Sequence, residues 1–112
     1  MTNISKYDVI IVKFPFASSL KYKARPAVVV SSSLYNEFSR DTLLILAISS
    51  NVNYKLNFEL EITNWKTSGL LKPSIFKSAV ATIEKSHLLT KIGTLSDMDI
   101  KSLEIMIQDI CE

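Results

Sequence analysis

Lys23-Ala24-Arg25-Pro26-Ala27-Val28-Val29-Val30-Ser31 is the stretch on which the fold turns: a basic loop runs directly into a strand too apolar to lie outside a core. Val28, Val29 and Val30 are β-branched and favour extended chain, while Pro26 fixes its own φ and pushes Arg25 away from helical geometry. Arg25 is thereby held extended at the mouth of a strand over Pro26 to Ser31. A guanidinium there presents a rigid, permanently charged fork of donors matched to phosphate or carboxylate. The residues read as an anion site, with a solvated arginine closing a strand as the alternative.

Upstream, Asp8 to Phe14 is a β-branched run ending at Pro15, a first strand buried on both faces or crossing a barrel. Between the two strands, residues 17 to 24 read as a polar, basic loop. There Lys21 and Lys23 flank Tyr22, a pattern suited to single-stranded nucleic acid, whose phosphates need cations and whose bases stack on rings. A solvated lysine-rich hairpin loop is the plainer reading.

Downstream, Ser32 to Asp41 is a polar connection with room for a helical turn, and Asp41 to Ile48 is a third, buried strand. It delivers Ser49, Ser50 and Asn51 to a second strand mouth, where ordinary turn chemistry competes with a binding role. Leu56 to Ile62 alternates apolar and polar, predicting a strand with Leu56, Phe58, Leu60 and Ile62 inward and Glu59 and Glu61 in water. A loop with Trp65 follows, then a strand within Ser74 to Ile83, a turn at Glu84 to Leu89, and a short closing strand over Lys91 to Leu95. Ser96-Asp97-Met98-Asp99 has the form of a helix N-terminus with acids in its first turn. Ile100, Leu103, Ile107 and Ile110 then mark one apolar helical face.

The 112 residues predict one domain, and at 47% apolar and 21% charged they exclude disordered, collagenous and disulfide-scaffold classes. A net charge of +2 argues only weakly for a polyanionic partner, so the placement of the cations matters more than their number. Cys111 is the single cysteine and His87 the single histidine, which rules out an internal disulfide and a Cys/His metal cluster. No apolar run reaches membrane-spanning length and the first residues lack a signal-peptide core. The expectation is a cytoplasmic protein with no membrane association, no metal and no cofactor.

Several local motifs, in order along nearly the whole chain, resemble the MazF/PemK family of toxin endoribonucleases. Members open with Gly-Asp, an apolar strand and Phe-Pro; here stand Tyr7-Asp8, Val9 to Lys13 and Phe14-Pro15-Phe16, with Tyr7 in the glycine's place. Ala24 to Ser31 matches the family's Lys/Arg-Arg-Pro-Ala-Val-Val-Val-Ser, with Ala24 in the place of the first basic residue, and Ala47-Ile48-Ser49-Ser50 puts Ser49 where members carry a catalytic threonine. Gly69-Leu70-Leu71-Lys72-Pro73-Ser74, Thr82-Ile83-Glu84-Lys85 and Ile92-Gly93-Thr94-Leu95-Ser96 also fit. Several relatives carry charged side chains where this chain has Phe76, Ser78 and Ala81.

The resemblance implies an α+β, mainly β fold: a small, strongly curved antiparallel sheet forming an SH3-like barrel, with a C-terminal helix. It also implies a homodimeric, metal-independent endoribonuclease acting on single-stranded mRNA and restrained by an antitoxin encoded nearby. Arg25 and Ser49 would be catalytic. An arginine pKa above ~12 suits charge stabilisation better than proton transfer. Lys21 and Lys23 would hold flanking phosphates, Phe16, Tyr22 and Tyr54 would stack on bases, and Ser50 would contact RNA. Two other classes stay open. One is a non-catalytic toxin of the same fold that binds a protein such as DNA gyrase, as the related CcdB toxins do; the other is a degenerate, inactive member.

Overall fold

The computed structural model describes residues 4–15, 22–39 and 41–111. Five antiparallel strands form one sheet in the order β4-β3-β2-β1-β5: β1 (Asp8–Pro15), β2 (Tyr22–Val29), β3 (Thr42–Ser49), β4 (Ile75–Glu84) and β5 (Leu88–Thr94). A short helix α1 (Ser33–Phe38) joins β2 to β3, and α2 (Asp97–Cys111) follows β5. β4 and β5 occupy opposite edges of the sheet, yet only the 3-10 turn Lys85–His87 separates them. The sheet must therefore curl until its two edges meet at that turn. Among the described residues no ladder joins those edges, so the barrel is brought round by the chain and is not closed by hydrogen bonds.

Pleat alternation divides the core. Val9, Val28, Leu46, Ile48 and Phe76 pack on one face against Leu103 and Met106 of α2 and Ile62 and Leu70 of the β3–β4 connection. Ile10, Val12, Ala27, Val29, Leu43, Ile45 and Ile83 form a second cluster on the other face, inside the curl. Residues of every core strand are thus apolar on both sides, which is why β1 and β3 read as unbroken apolar runs.

Four local expectations change. β2 starts at Tyr22, four residues before Pro26: Tyr22, Lys23 and Ala24 pair with Pro15, Phe14 and Lys13 in a ribbon whose exposed residues gave no apolar signal. β5 likewise starts at Leu88, inside the expected turn. Leu56 to Ile62 is not a strand; it makes only an isolated bridge, Glu61 to Ile75, and its exposure is partly inverted, with Glu59 buried and Leu56 and Phe58 exposed. On α2 the buried line is Asp99, Leu103 and Met106, while Ile100 and Ile107 flank it and Ile110 is exposed.

Asp99 sets that rotation. Its carboxylate accepts the backbone N–H of Thr63 (2.8 Å) and Asn64 (2.8 Å), fixing the helix start to the β3–β4 connection. Ser96 caps the helix: its hydroxyl oxygen accepts the Asp99 amide at 3.3 Å and Asn64 Nδ2 at 2.8 Å. Tyr7 has φ of 74°, a left-handed conformation that costs a side-chain-bearing residue roughly 1–2 kcal/mol. That backbone accounts for glycine in the corresponding place of the resembling family, and Tyr7 holds it with a bond from its amide to the Val29 carbonyl at 2.7 Å. Gly69, at φ 90°, and Gly93 lie against each other, and a Cβ on either would collide with the backbone of the other's neighbour. The connection consequently rests directly on β5.

Candidate functional site

Pro26 explains the geometry of the rim. The β2–β3 ladder runs from Val29↔Ile45 to Ala27↔Ala47 and stops, and Pro26 has no N–H with which to extend it. From there back to Tyr22, β2 is paired with β1 alone. Arg25 and Ser49 each lie two residues beyond the last β2–β3 pair, Arg25 facing Val12 on β1 and Ser49 facing Ile75 on β4. Alternation puts Lys23, Arg25 and Ser49 on the face of Val12 and Ala27, beyond the end of the second core cluster. Lys23 and Arg25 are exposed and Ser49 is half-buried. The Ser49 hydroxyl accepts the Asn51 amide at 3.1 Å, a local turn bond that leaves its proton available to donate.

Not every expected residue joins this group. Ser50 lines a cleft of about 390 Å³ walled by Ile11, Pro26, Leu70 and Ile92, and alternation places Ile11 and Pro26 on the face opposite Arg25. Tyr54 ends the 3-10 turn Val52–Tyr54 that follows the Ser49 mouth, and at 75% exposure its ring stands open to a ligand. Tyr22 contributes the first backbone position of β2, opposite Pro15. Phe16 and Lys21 lie outside the described residues.

The positions where relatives carry charge are built into the scaffold here. Phe76 is fully buried, Ala81 packs against the second cluster, and Ser78 is bonded to a carboxylate that sequence reasoning placed in water, Glu59. Between Leu46↔Val80 and Ile48↔Phe76 only Ala47 stands opposite Lys77, Ser78 and Ala79, so β4 bulges. The bulge releases the Ser78 amide from the ladder, and Glu59 takes it. Glu59 Oε2 accepts that N–H at 2.7 Å and the Ser78 hydroxyl at 2.9 Å; Oε1 accepts Lys77 Nζ at 2.7 Å and the Leu56 N–H at 2.9 Å. Burial pushes the Glu59 carboxyl upward, but the Lys77 ammonium, the two amides and the hydroxyl outweigh it and hold the pKa at about 2. The Lys77 and Ser78 partners are 18 and 19 residues away in sequence, and no periodic pattern links them to Glu59.

Among the described residues no group of three or more His, Cys, Asp or Glu is placed to hold a metal ion, and no helix is long and apolar enough to cross a membrane. What the rim offers is a cationic fork, a second cation two residues along the same strand face and a hydroxyl donor. Those are the parts that bind and polarise a phosphodiester.

The fold is similar to that of several solved toxins. An endoribonuclease from a mycobacterial species, solved in complex with its cognate antitoxin, aligns with a TM-score of 0.75 over 96% of this chain and 93% of its own, at 13% identity. The Mycobacterium tuberculosis toxin MazF-mt6 aligns with a TM-score of 0.74 at 20% identity, covering 91% of this chain and 93% of that one. No curated protein sequence matches the chain. The family model for PemK-like, MazF-like toxins matches residues 5–111, which includes both strand mouths and the C-terminal helix. The chain therefore belongs to the PemK-like, MazF-like toxins of type II toxin–antitoxin systems.

Proposed function

We propose that this toxin is an endoribonuclease that cuts single-stranded RNA at a preferred sequence without a metal ion. The reading rests on one observation above others: Arg25 and Ser49 each lie two residues beyond the last β2–β3 pair, Ala27↔Ala47, at the same end of the sheet, with Lys23 on Arg25's strand face roughly 7 Å along β2. In this reaction the 2′-hydroxyl gives its proton to solvent water as its oxygen attacks phosphorus, the bond to the 5′-oxygen breaks and that oxygen takes a proton from water, giving a 2′,3′-cyclic phosphate and a 5′-hydroxyl. Arg25 stabilises the charge that builds on the phosphoryl oxygens, a role its fixed charge suits. Ser49 donates its hydroxyl hydrogen bond to orient the scissile phosphate, and Lys23, with Lys21, holds flanking phosphates. Tyr54, Tyr22 and Phe16 supply stacking surfaces for unpaired bases, and Ser50 adds a polar contact.

The working form is a cytoplasmic homodimer, because one small curled sheet presents little surface for an RNA groove. A cognate antitoxin with acidic and apolar residues covers the cationic rim and is screened by salt. The test is cleavage of a long single-stranded RNA in EDTA by the purified dimer. Arg25→Ala should slow it by roughly 10²–10³, Ser49→Ala should slow it less, and Ser49→Thr should retain it. Equal cleavage by Arg25→Ala and the parent would overturn the site, and an intact RNA with the parent would overturn the activity.

A further inference from the structure

Glu59 is a buried charge that the proposed reaction does not use, and every lone-pair direction of its carboxylate is occupied. Its partners do more than fill a core. Lys77 Nζ, besides bonding Glu59, donates to the Tyr54 carbonyl at 3.3 Å. Lys55 Nζ donates to the Glu59 carbonyl at 2.9 Å, and the Glu59 amide donates to the Leu56 carbonyl at 3.0 Å. On the other side of the turn, the Asn51 amide is bonded to Ser49 Oγ, Val52 N to the Ser50 carbonyl at 3.1 Å and Tyr54 N to the Asn51 carbonyl at 3.4 Å. Residues 50–58 are therefore tied at one end to the Ser49 mouth and at the other to the β4 bulge. The exposed Tyr54 ring projects from the span between.

Resting on the ribonuclease reading, we infer that Glu59, Lys77 and Ser78 form a latch that positions the 50–58 loop so that Tyr54 meets an RNA base next to the bond held by Arg25 and Ser49. These are positioning residues, acting through Tyr54 and never touching the reacting atoms. The bulge fits that purpose. A regular ladder would consume the Ser78 amide, whereas the bulged strand gives it to Glu59 and so carries the loop's anchor onto β4. An apolar residue at position 59 would satisfy burial equally well but would leave the Ser78 amide without a partner and Tyr54 without its support.

The test uses the full-length dimer and a single-stranded RNA containing the parent's own mapped cut site. Glu59→Gln keeps the shape and removes the charge; Lys77→Met, at a side chain 29% exposed, removes the Tyr54 tie while leaving Glu59 its other bonds. Both should speed amide hydrogen exchange across 51–58 and leave the β1–β2 pair unchanged. Both should raise KM about tenfold, the scale of one lost base–aromatic stack, with kcat nearly constant. Tyr54→Ala should raise KM by itself and add nothing on the Glu59→Gln background. Unchanged exchange in 51–58 in both variants overturns the latch, and additive KM effects of Tyr54 and Glu59 overturn its action through Tyr54. A parent that leaves RNA intact overturns the ribonuclease reading instead, a result that the exchange measurement separates from failure of the latch. If Glu59→Gln does not fold, Lys77→Met carries the same outcomes alone.

Discussion

Two loops of this molecule are held by buried carboxylates, and they are held differently. Asp99 ties the start of α2 to residues 63 and 64 with backbone amides and the Ser96 hydroxyl as donors. Glu59 ties the 50–58 loop to β4 with two amides, a hydroxyl and a lysine ammonium. The first needs no cation because two oriented amides and a helix N-terminus favour negative charge. The second sits in a strand bulge with no helix dipole, and Lys77 makes up the difference. An amide-held anchor suits a joint that only has to stay shut, whereas one that includes a partly exposed lysine links its loop to surface charge.

Substitutions separate the two anchors, and the largest effect belongs at Glu59. Glu59→Ala leaves the Lys77 ammonium and two amides without their acceptor and should cost about 3 kcal/mol, near the low end for a broken buried pair because Lys77 can reach water. Urea denaturation measures it. The pH dependence sharpens the result: the folded-state pKa of about 2 lies below the ordinary 4.5, so the Glu59 contribution is fully present above about 4.5 and is lost as pH falls towards 2. Glu59→Gln should flatten the parent's stability curve in that window, and an unchanged slope would mean that the carboxylate is not the acid-sensitive group.

Asp99→Ala should cost less, about 2 kcal/mol, since it strands the Thr63 and Asn64 amides without stranding a charge. Its thermal unfolding midpoint should lie between those of the parent and Glu59→Ala; an order reversed between the two alanine variants would refute the role given to Lys77. Smallest is Ser96→Ala, which removes one cap and the Asn64 side-chain bond and should cost about 1 kcal/mol. Amide hydrogen exchange should then show fraying confined to the first turn of α2.

β1, β3 and the start of α2 were legible in the sequence because burial on both faces or a capping serine leaves a local mark. The segment 56–62 was not, because alternation says that two faces differ without saying which is wet, and the partners that invert it lie on β4. Met106 is illegible for a related reason: Asp99 turns the helix so that an acid and a methionine face the core where the apolar spacing points to isoleucines. At the rim, Arg25 and Ser49 could be placed from Pro26 and the end of an apolar run, while their meeting at one end of the sheet needed the register. Lys23 reads as a loop cation in the sequence although it lies in a paired strand, since the exposed Lys13, Lys23 and Ala24 leave no apolar period there.

The interior position of β1 bears on how the toxin is made. One neighbour, β2, follows it closely along the chain, but the other, β5, begins only at Leu88, and Leu103 and Met106 cover the core later still. A ribosome translating this message therefore carries β1 with one edge bare for most of the synthesis, and such long-range pairing is slow to form. Until residue 106 has emerged the sheet lacks both an interior pairing and its lid.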